Sequence, residues 1–81
     1  MKRKYHEVYK RIGNNLKRIR KAKGWTINHA ARKASLSWGH YKSIEDGKCK
    51  TTIRIAYKIV EGWDISMVDI VKPAEKRGRG K

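Results

Sequence analysis

The stretch TINHAARKASLSWGHYKSIEDG, residues 26–47, decides the fold. Thr26 can cap a short helix over residues 27–34, whose small apolar face is Ala30, Ala31 and Ala34. A break at Ser35-Leu36 leaves room for only a tight joint. Ser37 then caps a second helix over residues 38–46, and Gly47 ends it. In that helix Tyr41 and Ile44, three apart, point one way, while Trp38, Gly39, Lys42 and Ser43 point largely the other. Two short helices with so brief a joint form a helix-turn-helix candidate.

The flanks supply helices on which this pair can pack. Upstream, Val8, Ile12, Leu16 and Ile19 fall on one stripe of a helix over residues 5–22, extended toward the N-terminus by Tyr5 and Tyr9. Lys10, Arg11, Lys17, Arg18 and Lys21 take its other faces, and Gly24 stops it. Gly13 costs about 1 kcal/mol inside such a helix relative to alanine. It marks either a close approach by a neighbouring helix or a loose N-terminal extension. Downstream, Thr52 caps a helix over residues 53–62, with Ile53, Ala56, Ile59 and Val60 expected inward. Ser66-Met67-Val68-Asp69 has the form of a capping box and opens a last short helix over residues 67–71. Pro73 halts regular structure. The expected architecture is all-α: one domain of five helices over residues 1–71, then a basic disordered tail over residues 72–81.

The charge balance says what such a domain meets. Among 81 residues, 22 are Lys or Arg and 7 are Asp or Glu, a formal net charge of +15. The excess is +9 over residues 1–24, +2 over 25–71 and +4 over 72–81, so a nearly balanced centre has two strongly basic ends. That pattern suits a polyanion, nucleic acid before an anionic membrane surface; the plainer reading is that the cations only solubilise a small domain. No uncharged stretch is longer than Ala34–Tyr41, far short of the ~20 apolar residues of a membrane span. The basic start, Met1 to Lys4, lacks a following apolar run, so no secretion signal is expected. Cys49 is the only cysteine; it excludes an internal disulfide and fits a reducing cytoplasm. His6, His29 and His40 have no metal-ligand spacing, and no phosphate loop, acidic pair or nucleophile motif is present. Neither an enzyme nor a metal or other cofactor is expected, and Cys49 and the histidines read as surface residues.

The order of these signals resembles the phage-repressor-like (lambda repressor/Cro, or XRE) helix-turn-helix family. The matching residues are Ile12-Gly13, Leu16, Ile19-Arg20, Gly24-Trp25-Thr26, Ala30-Ala31, Leu36-Ser37, Ile44-Glu45-Asp46-Gly47-Lys48, Ile53, Ile65-Ser66 and Asp69-Ile70. The resemblance covers residues 12–71 and implies a five-helix DNA-binding domain, often dimeric, whose third helix enters the major groove. It also implies a buried ion pair between Arg20 and Glu45, joining the first helix to the end of the third. Four features depart from the family pattern. Ile27 stands where a glutamine usually touches phosphate. Ser35 stands where the turn usually has glycine, and would cost ~1 kcal/mol or more at positive φ. Ala30 replaces the usual leucine, so Trp25 or Trp63 must fill the volume. The reading helix opens with Trp38-Gly39.

On this resemblance, base readout is expected from Trp38, Gly39, Lys42 and Ser43, Lys42 donating to guanine and Trp38 packing on a thymine methyl or sugar. The alternative for Trp38 is burial in the core. Phosphate contacts are expected from Thr26 and Asn28, from Lys48, Lys50, Thr51 and Arg54, and more loosely from Lys17, Lys21 and Lys23. His40 is either a phosphate contact or an ordinary surface histidine. The tail segment Lys76 to Lys81 has an Arg-Gly-Arg centre similar to minor-groove hooks, although a generic basic arm is the commoner meaning. The function expected is a sequence-specific duplex-DNA-binding repressor, a homodimer meeting through Ile65, Met67, Ile70 and Val71. Two rivals keep the fold: an antitoxin-type protein binding a toxin or other protein partner as well as its promoter, and a non-specific basic nucleic-acid binder.

Overall fold

The computed structural model describes residues 2–73, among which it holds five helices and no strand. These are α1 (Lys2–Ala22), α2 (Ile27–Lys33), α3 (Trp38–Glu45), α4 (Ile53–Trp63) and α5 (Met67–Val71). The first begins three residues earlier than the apolar stripe implied, and α4 runs one residue further, taking in Trp63. The tail segment 74–81, including the Arg-Gly-Arg centre, lies outside the described residues.

Hydroxyl side chains start the inner helices. Thr26 accepts from the His29 N–H at 3.1 Å, Ser37 from His40 N–H at 3.2 Å, and Thr52 from Ile55 N–H at 3.2 Å. The Asp69 carboxylate closes back on the Ser66 N–H at 3.2 Å to open α5. The first four helices all stop in the same way. A residue at positive φ turns the chain, and the next N–H reaches five residues back. The bonds are Trp25 to Arg20, Leu36 to Ala31, Lys48 to Ser43 and Ile65 to Val60, at 2.9–3.1 Å. The turning residues are Gly24, Ser35, Gly47 and Asp64. Ser35, at φ 59°, therefore takes the strained role that glycine fills elsewhere, and so does Asp64 at φ 59°.

The core gathers Ile12 and Leu16 from α1, Ala30, Ala31 and Ala34 from and just after α2, Tyr41 and Ile44 from α3, Ala56, Ile59, Val60 and Trp63 from α4, and Ile70 from α5. Trp63 fills the space above the small alanine face: it is fully buried, and its indole N–H donates to the Ala30 carbonyl at 3.0 Å. Trp25 meets its edge, with ring centroids 5.4 Å apart. Two glycines set how close the helices come. A Cβ on Gly13 would lie 2.4 Å from the Glu45 carbonyl oxygen, so α1 rests directly on the end of α3. On Gly62 it would lie 1.8 Å from the Lys33 carbonyl oxygen, so α4 rests on the end of α2. Gly13 thus marks a close approach rather than a loose extension.

Buried Asn15 ties α5 to α1. Its amide donates to the Ile70 carbonyl at 2.9 Å and the Lys72 carbonyl at 2.8 Å, while its own oxygen accepts from Arg18 at 3.0 Å. Lys72, expected as the start of a tail, is thereby held to the folded unit.

Other expectations need correction. Ile53 is 79% exposed and Val8 is also exposed. Periodicity puts both on the inward stripe, but at their level no other helix covers them. Ile70 is wholly buried and unavailable to a partner, and Ile65 and Met67 pack partly against the core. On α5 the exposed apolar side chains are Val68 and Val71. Cys49 is half-buried against the core rather than on the surface, and burial pushes its thiol upward in pKa.

Candidate nucleic-acid interface

The geometry of α3 rests on one buried polar cluster. Arg20 Nε donates to Glu45 Oε2 at 2.7 Å and its terminal nitrogen to Oε1 at 3.1 Å, a two-point ion pair. The other terminal nitrogen donates to the Trp25 carbonyl at 2.8 Å, and the Tyr41 hydroxyl donates to Glu45 Oε2 at 2.5 Å. One guanidinium on α1 therefore grips both the entry to α2 and the end of α3. Burial, then the hydrogen bond to Glu45, pushes the Tyr41 phenol well above its ordinary pKa. The Arg20 guanidinium is pushed up too, first by its hydrogen bond to Glu45.

With Tyr41, Ile44 and Glu45 turned inward, the opposite edge of α3 faces out. Trp38 is 53% exposed, which places it on the surface and not in the core. Gly39 lies at the centre of that edge, with no atom within 4 Å of where a Cβ would stand. Lys42 and Ser43 flank it, half-buried, and His40 lies exposed at the margin. The four expected base-reading residues therefore share one outward edge. A ~12 Å major groove admits an α-helix, and this edge carries a lysine, a hydroxyl and an indole N–H as donors around a glycine.

The expected phosphate contacts divide. Thr26 and Asn28 are exposed at the start of α2, where first-turn N–H groups have no partner within the helix. Lys48 and Lys50 are exposed on the loop that leaves α3, and Arg54 is exposed on the first turn of α4. Thr51 does not fit: its hydroxyl oxygen is buried and unpartnered, so only its backbone is on offer. Lys17 and Lys21 are exposed on α1. The Asp46 carboxyl is held below the ordinary aspartate range, chiefly by its hydrogen bond and ion pair with Lys42 and further by the charges of Lys48 and Lys17. Lys23 goes elsewhere. Its amine lies 5.2 Å from the centre of the Trp25 ring, and that of Lys33 lies 5.3 Å from the same ring.

Two features escaped the sequence reading. Asp46 binds Lys42 at 2.9 Å; the i,i+4 spacing was available as a signal. The gathering of Lys23, Lys33 and His29 around Trp25 had none, since it joins residues from two elements. Among the described residues, no three histidine, cysteine or acidic side chains form a group able to hold a metal, and no helix is long and apolar enough to cross a membrane.

The capped pair α2 and α3 and its tight turn form a helix-turn-helix within a five-helix fold of lambda-repressor-like form. The chain is similar, at 26% identity over 70 residues, to an uncharacterized HTH-type transcriptional regulator, y4dJ, of Sinorhizobium fredii. That match takes in 86% of this chain and 91% of the relative. It is also similar to the crystal structure of an HTH_3 family transcriptional regulator from Vibrio cholerae, with a TM-score of 0.77 and 28% identity over 80% of this chain. The chain spans 36% of the length of that solved structure. No family model matches the chain.

Proposed function

We propose that the chain binds duplex DNA in a sequence-dependent way and regulates transcription, acting as a repressor, with α3 in the major groove. One observation carries the reading: α3 is pinned on one side by the Arg20–Glu45–Tyr41 cluster and bare on the other, across Trp38, Gly39, Lys42 and Ser43. A helix that served only the core would not spend a tryptophan and a glycine on solvent. Both similar proteins are named as transcriptional regulators, which supports the same reading.

Affinity comes from the cations. Lys48, Lys50 and Arg54 follow α3, and the start of α2 offers its N–H groups with Thr26 and Asn28; these meet phosphate and hold the register. Bases are read by Lys42 and Ser43, with Trp38 against a thymine methyl or sugar. The protein acts as a homodimer on an inverted repeat with half-sites about one helical turn apart.

Selection of bound duplexes from a random pool, at stated salt, tests this directly. A short enriched motif with two-fold symmetry is expected. For a dimer neutralising about 6–10 phosphates, log affinity should fall against log salt with a slope of about −5 to −9. No enrichment, or a slope near zero, rejects the proposal.

A further inference from the structure

Lys42 is the one lysine or arginine on α3, and it is not free. Its amine is 2.9 Å from the Asp46 carboxylate, one helical turn on, and both side chains are partly open to solvent. Asp46 is odd company for a polyanion-binding surface. It lies at the C-cap of α3, with Lys48 and Lys17 near enough to stabilise its charge. A carboxylate there repels phosphate and cancels one of the surface's cations. Loss of general affinity is thus built in beside the reading edge.

We propose that Asp46 is a positioning residue for base readout, holding the Lys42 amine along the outer edge of α3 and away from the phosphate backbone. The inference rests on the DNA-binding reading above and deepens it. An ammonium has three donors. With one given to Asp46, two remain, enough for the O6 and N7 acceptors that guanine shows in the major groove. Held back along its own helix, the amine cannot swing out to whichever phosphate is nearest. A duplex that does not offer guanine at that place gains nothing from Lys42, and still meets the negative charge of Asp46. The pair therefore lowers affinity for unrelated sequence more than for the selected one.

The test compares wild type, Asp46→Asn, Lys42→Met and the double variant on two duplexes, one selected and one unrelated. Asp46→Asn is expected to tighten binding to the unrelated duplex and to steepen its salt slope by about one. It should lower preference for guanine at the base pair Lys42 reads by about tenfold. In the Lys42→Met background the effect on guanine preference should vanish, leaving only a uniform gain from the lost repulsion between Asp46 and phosphate. An equal change on both duplexes in the wild-type background, or a change in guanine preference that persists without Lys42, overturns the inference and leaves Asp46 as a local charge. The free protein supplies a second measurement. Lys42→Met should raise the Asp46 carboxyl pKa seen by NMR, although Lys17 and Lys48 remain; no rise means the pair does not exist in solution, and the inference fails while DNA binding stands. A wild-type protein that does not prefer the selected duplex overturns the functional reading itself, and this inference with it.

Discussion

The Glu45 carboxylate is only 4% exposed, and the side chains around it are arranged to donate to it. Arg20 supplies two donors and Tyr41 a third. Glu45→Ala would leave a buried guanidinium and a phenol without their acceptor, so a loss of about 3–5 kcal/mol is expected in denaturant unfolding. A loss under about 1 kcal/mol would show that the cluster is not the anchor of α3. Tyr41 adds a pH signature. Its folded-state pKa is raised, so the protonated phenol is the form the fold holds. Its contribution is complete below the unfolded value near ~10 and is lost as pH rises beyond that. Stability should therefore decline between about pH 10 and 11 more steeply in wild type than in Tyr41→Phe. Equal slopes would count against the burial of this hydroxyl.

At the scale of elements, the helix ends and helix contacts make opposite demands on glycine. Gly13 and Gly62 lie inside helices, where alanine is intrinsically better by about 1 kcal/mol. Yet each faces a carbonyl oxygen at a distance no Cβ can share. Gly13→Ala and Gly62→Ala are both expected to destabilise, by at least 1–3 kcal/mol as for other overpacked sites, roughly. Thermal melting checks the sign, and a rise in Tm for Gly62→Ala would mean that α2 and α4 are not in backbone contact. Ser35 is the converse case. At φ 59° it bears a side chain where none is wanted, and its N–H donates to the Arg32 carbonyl at 3.0 Å in the turn. Ser35→Gly should stabilise by roughly 0.5–1 kcal/mol, the relief of strain less the added freedom of the unfolded chain. A lower Tm would contradict this.

For the whole molecule, the surfaces divide by chemistry. The outward edge of α3 and the lysines around it form one surface, whereas α5 exposes Val68, at 64%, and Val71. Those two valines are the apolar surface that α5 can offer a second copy, since Ile70 is spent on the core. Val68→Glu is expected to weaken self-association by about tenfold or more, the worth of burying one valine, while leaving Tm unchanged. Sedimentation equilibrium reads this, and a wild type that stays monomeric at high concentration rejects the α5 dimer.

How legible was all this in the chain? The caps Thr26, Ser37 and Thr52, the stops Gly24 and Gly47, and the inward pairs such as Tyr41 and Ile44 depend on neighbours within a few residues, so spacing was enough to read them. The left-handed turn at Asp64 was not legible, because aspartate takes that conformation in only a minority of places and no glycine marks this one. Ile53 and Ile70 show the same limit from another side: periodicity assigns a face, but not whether another helix covers it at that level. The same holds for the site. The outward edge of α3 follows from a period of 3.6 residues, while the buried hydroxyl of Thr51, the bracing of Asp46 by lysines from α1 and the following loop, and the choice of Trp63 to fill the space over Ala30 required the helices in place. Local backbone chemistry is written in adjacent residues. Contact between distant ones is decided by which volumes meet, and that exists only once the chain has closed on itself.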